Sequence, residues 1–336
     1  MRQLKENDYK LLGMLCEMPQ KELKATLATF LKKKYKKIVN TKDYLYAVGD
    51  IPIALCAHMD TVFTKQPIAA AEIFYDRQKG AIWSPKGLGA DDRAGIFAII
   101  QIIQKGLRPH IIFTTDEELG CLGAAELAKK KCPFPDLRYI IQLDRRGHDD
   151  CVFYDCDNPE FTQYVESFGF VENFGSFSDI YDLCPNWGVA GVNLSIGYIN
   201  EHSTNEILFV GPLLNAIEKV TKMLKQPIQQ IPNFEFIYSV YSLQNYKNYA
   251  TAYPMEEDDD FEIEDGFRCQ CHNCKHIFSS EECLPVTGIG GNHYFLCIDC
   301  LADMNEDKLR FCENCGEAFE PIGPKDYICL DCKRGV

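Results

Sequence analysis

Four short apolar runs, each leading into acids or histidines, recur along the first two thirds of this chain, and they leave few folds open. The runs cover 51–57, 110–115, 139–143 and 192–196. Between and around them, residues 8–17, 20–35, 92–105, 122–131, 159–168 and 211–225 carry apolar side chains at helical spacing. Asn158 is placed to cap the helix at 159–168, and Pro159 suits its first turn. A strand that is apolar throughout is covered on both faces, and parallel strands need long crossovers that are usually helices. The pattern therefore predicts an α/β domain with a mostly parallel sheet flanked by helices.

Five ionisable segments fall just past the predicted strands. They are AHMDT with His58 and Asp60, GADDRAG with Asp91 and Asp92, TTDEELG with Glu117 and Glu118, QLDRRG with Asp144, and NEHSTNE with His202. In an open parallel sheet the carboxyl ends of the strands feed one crevice, where sites are built. Acids and imidazoles gathered there without cations would repel and lose solvation. Two divalent metals resolve that conflict, and zinc takes both nitrogen and carboxylate donors. Taken singly, each segment has a plain structural explanation: a core HxD, a solvated EE helix start, an Asp144 that caps a turn. Only their ordered combination points to a site.

That combination resembles the co-catalytic dinuclear-zinc exopeptidases, the superfamily of bacterial aminopeptidases, peptidase T and carboxypeptidase G. The resemblance spans residues 5–226. It implies that His58, Asp91, Glu118, Asp144 and His202 bind two zinc ions, with Asp91 bridging them through a cis peptide to Asp92. His58 and Asp144 would complete one zinc, Glu118 and His202 the other. Asp60 would orient His58, and Glu117 would be the general base acting on a metal-bridging hydroxide. Tyr198 is a candidate oxyanion donor or a tyrosine packed at a strand end. Only 57 residues separate Asp144 from His202, and 32 separate His58 from Asp91. Neither interval holds a lid or an inserted domain, so the chain is most similar to the compact aminopeptidases, in which free carboxylates hold the substrate ammonium. A zinc-dependent aminopeptidase acting on short peptides is the expected function. The alternatives are a carboxypeptidase using Arg145 and Arg146 as a clamp, an N-acyl amino acid deacylase, and a non-enzymatic scaffold for the tail.

The tail is a different kind of sequence. After a tyrosine-rich stretch at 227–254, eight of the ten residues 256–265 are acidic, as in a solvated linker. Four CxxC pairs follow: Cys271 with Cys274, Cys297 with Cys300, Cys312 with Cys315, and Cys329 with Cys332. Two such knuckles make one tetrahedral zinc site. The expected division is a peptidase domain at 1–226, a linker at 227–266, and zinc-ribbon-like modules at 267–303 and 304–336, paired sequentially. The expected cofactors are thus two catalytic and two structural zinc ions.

Charge and composition bound the partners. The formal net charge is −14, and residues 267–336 hold 7 Lys or Arg against 11 Asp or Glu, which disfavours nucleic acid and anionic membranes. A peptide substrate is expected, with a protein partner or self-association through the tail. No apolar stretch of transmembrane length occurs, and MRQLKENDYK lacks a signal-peptide core, so a cytoplasmic location is expected. The seven cysteines scattered over the first 190 residues then read as reduced core thiols.

Overall fold

The computed structural model describes residues 4–63, 72–175 and 177–238, and in the tail 268–279, 283–287, 293–302, 308–312, 318–322, 326–329 and 332–333. It divides into two compact units, Met1–Tyr154 with Asn158–Phe236, and Asp155–Asp157 with Ile237–Val336.

The first unit opens with helices α1 (Glu6–Glu17) and α2 (Gln20–Lys32) and strands β1 (Lys37–Asn40) and β2 (Tyr44–Val48). The central strands follow: β3 (Ile51–His58), β6 (Pro109–Thr114), β7 (Tyr139–Arg145) and β10 (Gly191–Ser195). Each sits near its expected position, and β3, β6 and β10 are buried along their whole length. Together with β8 (Asp150–Val152) and β9 (Val171–Glu172) they form an eight-stranded sheet of order β1-β2-β6-β3-β7-β10-β8-β9. The four central strands run parallel, β2 and β8 run antiparallel to their inner neighbours, and β1 is antiparallel to β2. A small antiparallel sheet is built from β4 (Phe74–Asp76), β5 (Ala81–Trp83), β11 (Tyr198–Ile199) and β12 (Ile207–Phe209).

Helices α3 (Ala90–Gln104), α4 (Leu122–Ala128), α5 (Pro159–Glu166), α6 (Asp179–Trp187) and α7 (Val210–Leu224) complete the unit. Asn158 caps α5 by accepting from the Phe161 N–H, with Pro159 at the first position. Helix α6 was not foreseen from the sequence; Pro185 lies inside it, near its end, and a proline there argues against a helix in a reading of periodicity. The unit extends to Phe236 rather than ending near 226, because Phe234 packs on Tyr139 and Phe161. Glu235 bridges Val189 as a short antiparallel edge. Residues 239–254 of the tyrosine-rich stretch and the acidic run lie outside the described residues.

In the second unit, β13 (Arg268–Gln270) and β14 (Ile277–Ser279) pair as a hairpin. Strands β15 (Cys283–Thr287), β16 (His293–Cys297), β17 (Arg310–Phe311) and β18 (Ala318–Phe319) form a second sheet, and α8 (Ile298–Ala302) follows β16. Parallel pairing of Val286 with Ala318 and Thr287 with Phe319 carries this sheet across position 304. The core around it is small: Val286, Phe295, Leu296, Leu309 and Ala318, together with Cys271 and Cys297.

Candidate active site

The carboxyl ends of β3, β6 and β7, the start of α3 and the turn after β11 deliver the five ionisable segments to one crevice. His58 ends β3, Asp144 lies near the end of β7, and Glu117 and Glu118 sit on a 3-10 turn just beyond β6. His202 lies between β11 and β12, with left-handed backbone at φ 60°. Asp91 and Asp92 open α3 in non-helical conformations joined by a cis peptide, after a left-handed Gly89.

The side chains converge closely. His58 Nε2 lies 3.0 Å from Asp91 Oδ1 and 3.4 Å from Asp144 Oδ1. His202 Nε2 lies 3.1 Å from Asp91 Oδ2 and 3.0 Å from Glu118 Oε2. Two donor clusters therefore meet at Asp91, one on each carboxylate oxygen. Zinc bonds to nitrogen and oxygen of about 2.0–2.1 Å give tetrahedral edges of about 3.3 Å, close to these separations. The donor set, three carboxylates and two imidazoles, is one that zinc accepts. Glu118 Oε1 is buried with no hydrogen-bond partner, as a carboxylate waiting on a cation would be. The residues fit a metal pair.

Asp92 comes near His58 and Asp144 as well. Both its oxygens are taken by backbone, accepting from His58 N at 3.3 Å and Gly95 N at 2.9 Å, so it holds the chain rather than facing the cluster. Asp60 faces His58 Nδ1 at 3.3 Å, and its two oxygens accept the N–H groups of Glu117 and Glu118 at 3.1 and 3.0 Å. One carboxylate thus fixes an imidazole and the acidic turn together. Tyr198 is buried at the wall of the cavity over the cluster, with its hydroxyl donating to Asp144 Oδ1 at 3.1 Å.

The electrostatics follow from burial and crowding. Burial raises Glu117 to about 9, with His58 opposing and Asp144 adding to the rise. Burial likewise lifts Asp144 to about 6, against the lowering effect of His58. For His58, burial acts to lower the pKa, but Asp144, Asp60 and Asp91 outweigh that effect and raise it well above its ordinary value. Hydrogen bonds to Asp91 and Glu118 push His202 up to about 11. Such a cluster draws positive charge to itself.

Several supporting residues carry no sequence motif. Asp144 Oδ2 accepts from Ser178 Oγ at 2.7 Å and from Gln142 Nε2 at 3.1 Å, and the Asp144 backbone is pinned by Asn193. Fully buried Asp179 takes a 2.6 Å hydrogen bond from Thr114, and burial raises it to about 7. Glu206 accepts from Gly89 N at 2.6 Å and Asp91 N at 3.0 Å, securing the start of α3 from 115 residues away. Gln142, Thr114 and Glu206 fall inside segments singled out by sequence, whereas Ser178, Asp179 and Asn193 do not.

A cavity of about 540 Å³ opens over the cluster, lined by Glu117, Tyr154, Phe174, Phe177 and Glu201 among others. Arg145 and Arg146 also line it, but both are engaged. Arg145 donates to Phe174 O, and Arg146 pairs with Glu201 at 2.8 Å.

The fold and the convergent side chains are similar to those of the co-catalytic zinc exopeptidases. Residues 41–168 match the family model described as Peptidase family M28; the match takes in His58, Asp91, Glu117, Glu118 and Asp144 and leaves out α1, α2 and His202. Among solved structures, a tripeptidase from Staphylococcus aureus aligns at 15% identity and TM-score 0.52, covering 68% of this chain and 100% of its own. An aminopeptidase from the archaeon Desulfurococcus kamchatkensis aligns at 14% identity and TM-score 0.52, covering 67% and 97%. A TET aminopeptidase from a marine-sediment thaumarchaeote aligns at 15% identity and TM-score 0.51, covering 66% and 97%. No curated protein sequence matches the chain.

In the second unit, Cys271, Cys274, Cys297 and Cys300 gather their sulfur atoms within 4.8 Å of one another, as do Cys312, Cys329 and Cys332. Cys274 and Cys297 are 3.9 Å apart, near the tetrahedral edge of about 3.8 Å expected for Zn–S bonds of about 2.3 Å. For Cys271, burial would raise the thiol, but backbone N–H groups of Cys274, Cys297 and Asn273 outweigh it and bring it down to about 6. Cys315 lies outside the described residues. Among the described residues no helix is long and apolar enough to cross a membrane.

Proposed function

We propose that the first unit is a dinuclear-zinc aminopeptidase that removes residues from the free N-terminus of short peptides. The observation that carries this reading is Asp91, whose two oxygens each face a separate histidine–carboxylate cluster. His58, Asp144 and Asp91 would hold one ion, and Glu118, His202 and Asp91 the other. Bound there, the metals supply Lewis acidity and a nucleophilic water near neutral pH. Glu117, on the cavity wall and next in sequence to a ligand, takes the proton of the attacking water and returns it to the leaving nitrogen. Cations held beside it favour its ionised form against the effect of burial. Asp60 keeps His58 and the Glu117–Glu118 backbone in place for this exchange.

The free ammonium of a substrate needs a carboxylate. Of the carboxylates lining the cavity, Glu201 is the one assigned neither as ligand nor as base, with one oxygen held by Arg146. We assign it to the substrate ammonium. The engagement of Arg145 and Arg146 leaves a carboxypeptidase clamp less well supplied. Matched peptides with free and acetylated N-termini test this: the free series is cleaved preferentially, and Glu201→Gln narrows that preference at least tenfold. Preferential cleavage of the acetylated series would overturn the assignment.

In the second unit we propose two structural zinc ions, one on Cys271, Cys274, Cys297 and Cys300, the other on Cys312, Cys329, Cys332 and Cys315. The closeness of the first four sulfurs supports sequential pairing.

A further inference from the structure

The turn that carries Glu117 and Glu118 is held in an unfavourable backbone. Asp116 before it and Cys121 after it are both left-handed, at φ 57° and 55°, and neither is glycine. Such residues cost roughly 1 kcal/mol or more each and persist only where surrounding contacts enforce them. Asp60 secures the inner side of this turn through the Glu117 and Glu118 N–H groups. The outer side is secured by Gln20, the first residue of α2, almost a hundred residues away in sequence. Its Nε2 donates to Asp116 Oδ1 at 2.9 Å, and its Oε1 accepts from Asp116 N at 3.2 Å. The Asp116 carbonyl in turn accepts from Leu122 N at 3.1 Å. This reciprocal pair fixes the orientation of the Gln20 amide, since the backbone N–H needs an acceptor and the carboxylate a donor.

We propose that Gln20 is a positioning residue for the catalytic acids: helix α2, which lies outside the family match, clamps Asp116 and thereby sets where the Glu117 and Glu118 carboxylates point. The proposal rests on the reading of Glu117 as base and Glu118 as metal ligand. Partners one shell removed from a metal ligand typically change metal affinity or activity by about 10–100-fold when lost, and a shift of about 1 Å in a reacting group can cost about 100-fold.

The test uses the full chain and two readouts: kcat and KM on a peptide with a free N-terminus, and the affinity of the oxygen–nitrogen site for Co²⁺, followed by its ligand-field absorption. Cobalt–thiolate bands from the tail serve as an internal control. Gln20→Ala lowers kcat by 10–100-fold with KM within a fewfold, weakens Co²⁺ binding at the oxygen–nitrogen site, and leaves the thiolate bands unchanged. Gln20→Glu places two carboxylates face to face and is as poor or worse. The double variant Gln20→Glu with Asp116→Asn exchanges donor for acceptor across the same contact and recovers most of the loss. A merely structural role would lower the Tm of Gln20→Ala without changing kcat or Co²⁺ affinity, and that result, or a double variant no better than Gln20→Glu, overturns the proposal. Should the wild-type chain cleave no peptide, the peptidase reading fails on its own, and the Co²⁺ affinities still decide whether Gln20 positions the turn.

Discussion

Gly95 is the position where a single added carbon should disturb the site most. A Cβ built there falls 2.2 Å from Leu143 O and 2.4 and 2.6 Å from the two carboxylate oxygens of Asp92. Ordinary contact begins near 3.4 Å, so Gly95→Ala forces α3 and β7 apart by about 1 Å. None of the three atoms is the free end of a flexible side chain: one is backbone of β7, and the Asp92 carboxylate is held by His58 N and Gly95 N. Overpacking of this kind costs about 1–3 kcal/mol, and the rigid partners favour the upper end. At about 2–4 °C per kcal/mol for a unit of this size, Tm falls on the order of 6–12 °C. The displaced atoms are immediate neighbours of Asp91 and Asp144, so a shift of this size should also lower kcat by up to about 100-fold. Calorimetry and steady-state kinetics on the same preparation check both numbers. A variant with Tm within 2 °C of wild type and unchanged kcat would refute the close approach of α3 to β7.

Glu117→Gln should lower kcat by about 10²–10⁴-fold while leaving metal content unchanged, as measured by turnover and elemental analysis. Activity near wild type would remove Glu117 from its role. At the opposite end of the sheet, burial lowers the pKa of His110 from 6.5 to about 4, while its Nδ1 accepts from Gly49 N at 3.1 Å. Because the unfolded chain binds this proton first as pH falls, His110 contributes stability that is complete above pH 6.5 and is lost towards pH 4. His110→Gln should therefore flatten the pH dependence of unfolding in that window by up to about 1.4 kcal/mol per pH unit, and an unaltered slope would contradict the assignment.

How much of this was legible beforehand depends on the range of the signal. Strand β3 read clearly because burial on both faces leaves an unbroken apolar run, and β6, β7 and β10 because it leaves mostly apolar ones. The short segments at and after their ends carried His58, Asp60, Glu117, Glu118, Asp144 and His202, and GADDRAG at the start of α3 carried Asp91. Strand β2 was not read from YLYAV, and α6 was hidden by Pro185. The supporting shell was the least legible part. Gln20, Asp179 and Asn193 act through contacts between elements distant in sequence, and each is unremarkable in its own neighbourhood. Glu206 stood inside a recognised segment, yet its target at the start of α3 lay 115 residues away and no local pattern announced it.

The central claim is that one aspartate joins two metal positions. Anomalous diffraction at the zinc edge on crystals of the full, zinc-loaded chain tests it most directly. Two peaks about 3.5–4 Å apart, each bonded to a different oxygen of Asp91, are the predicted result. A single ion in the crevice, or a second ion that does not touch Asp91, would contradict it.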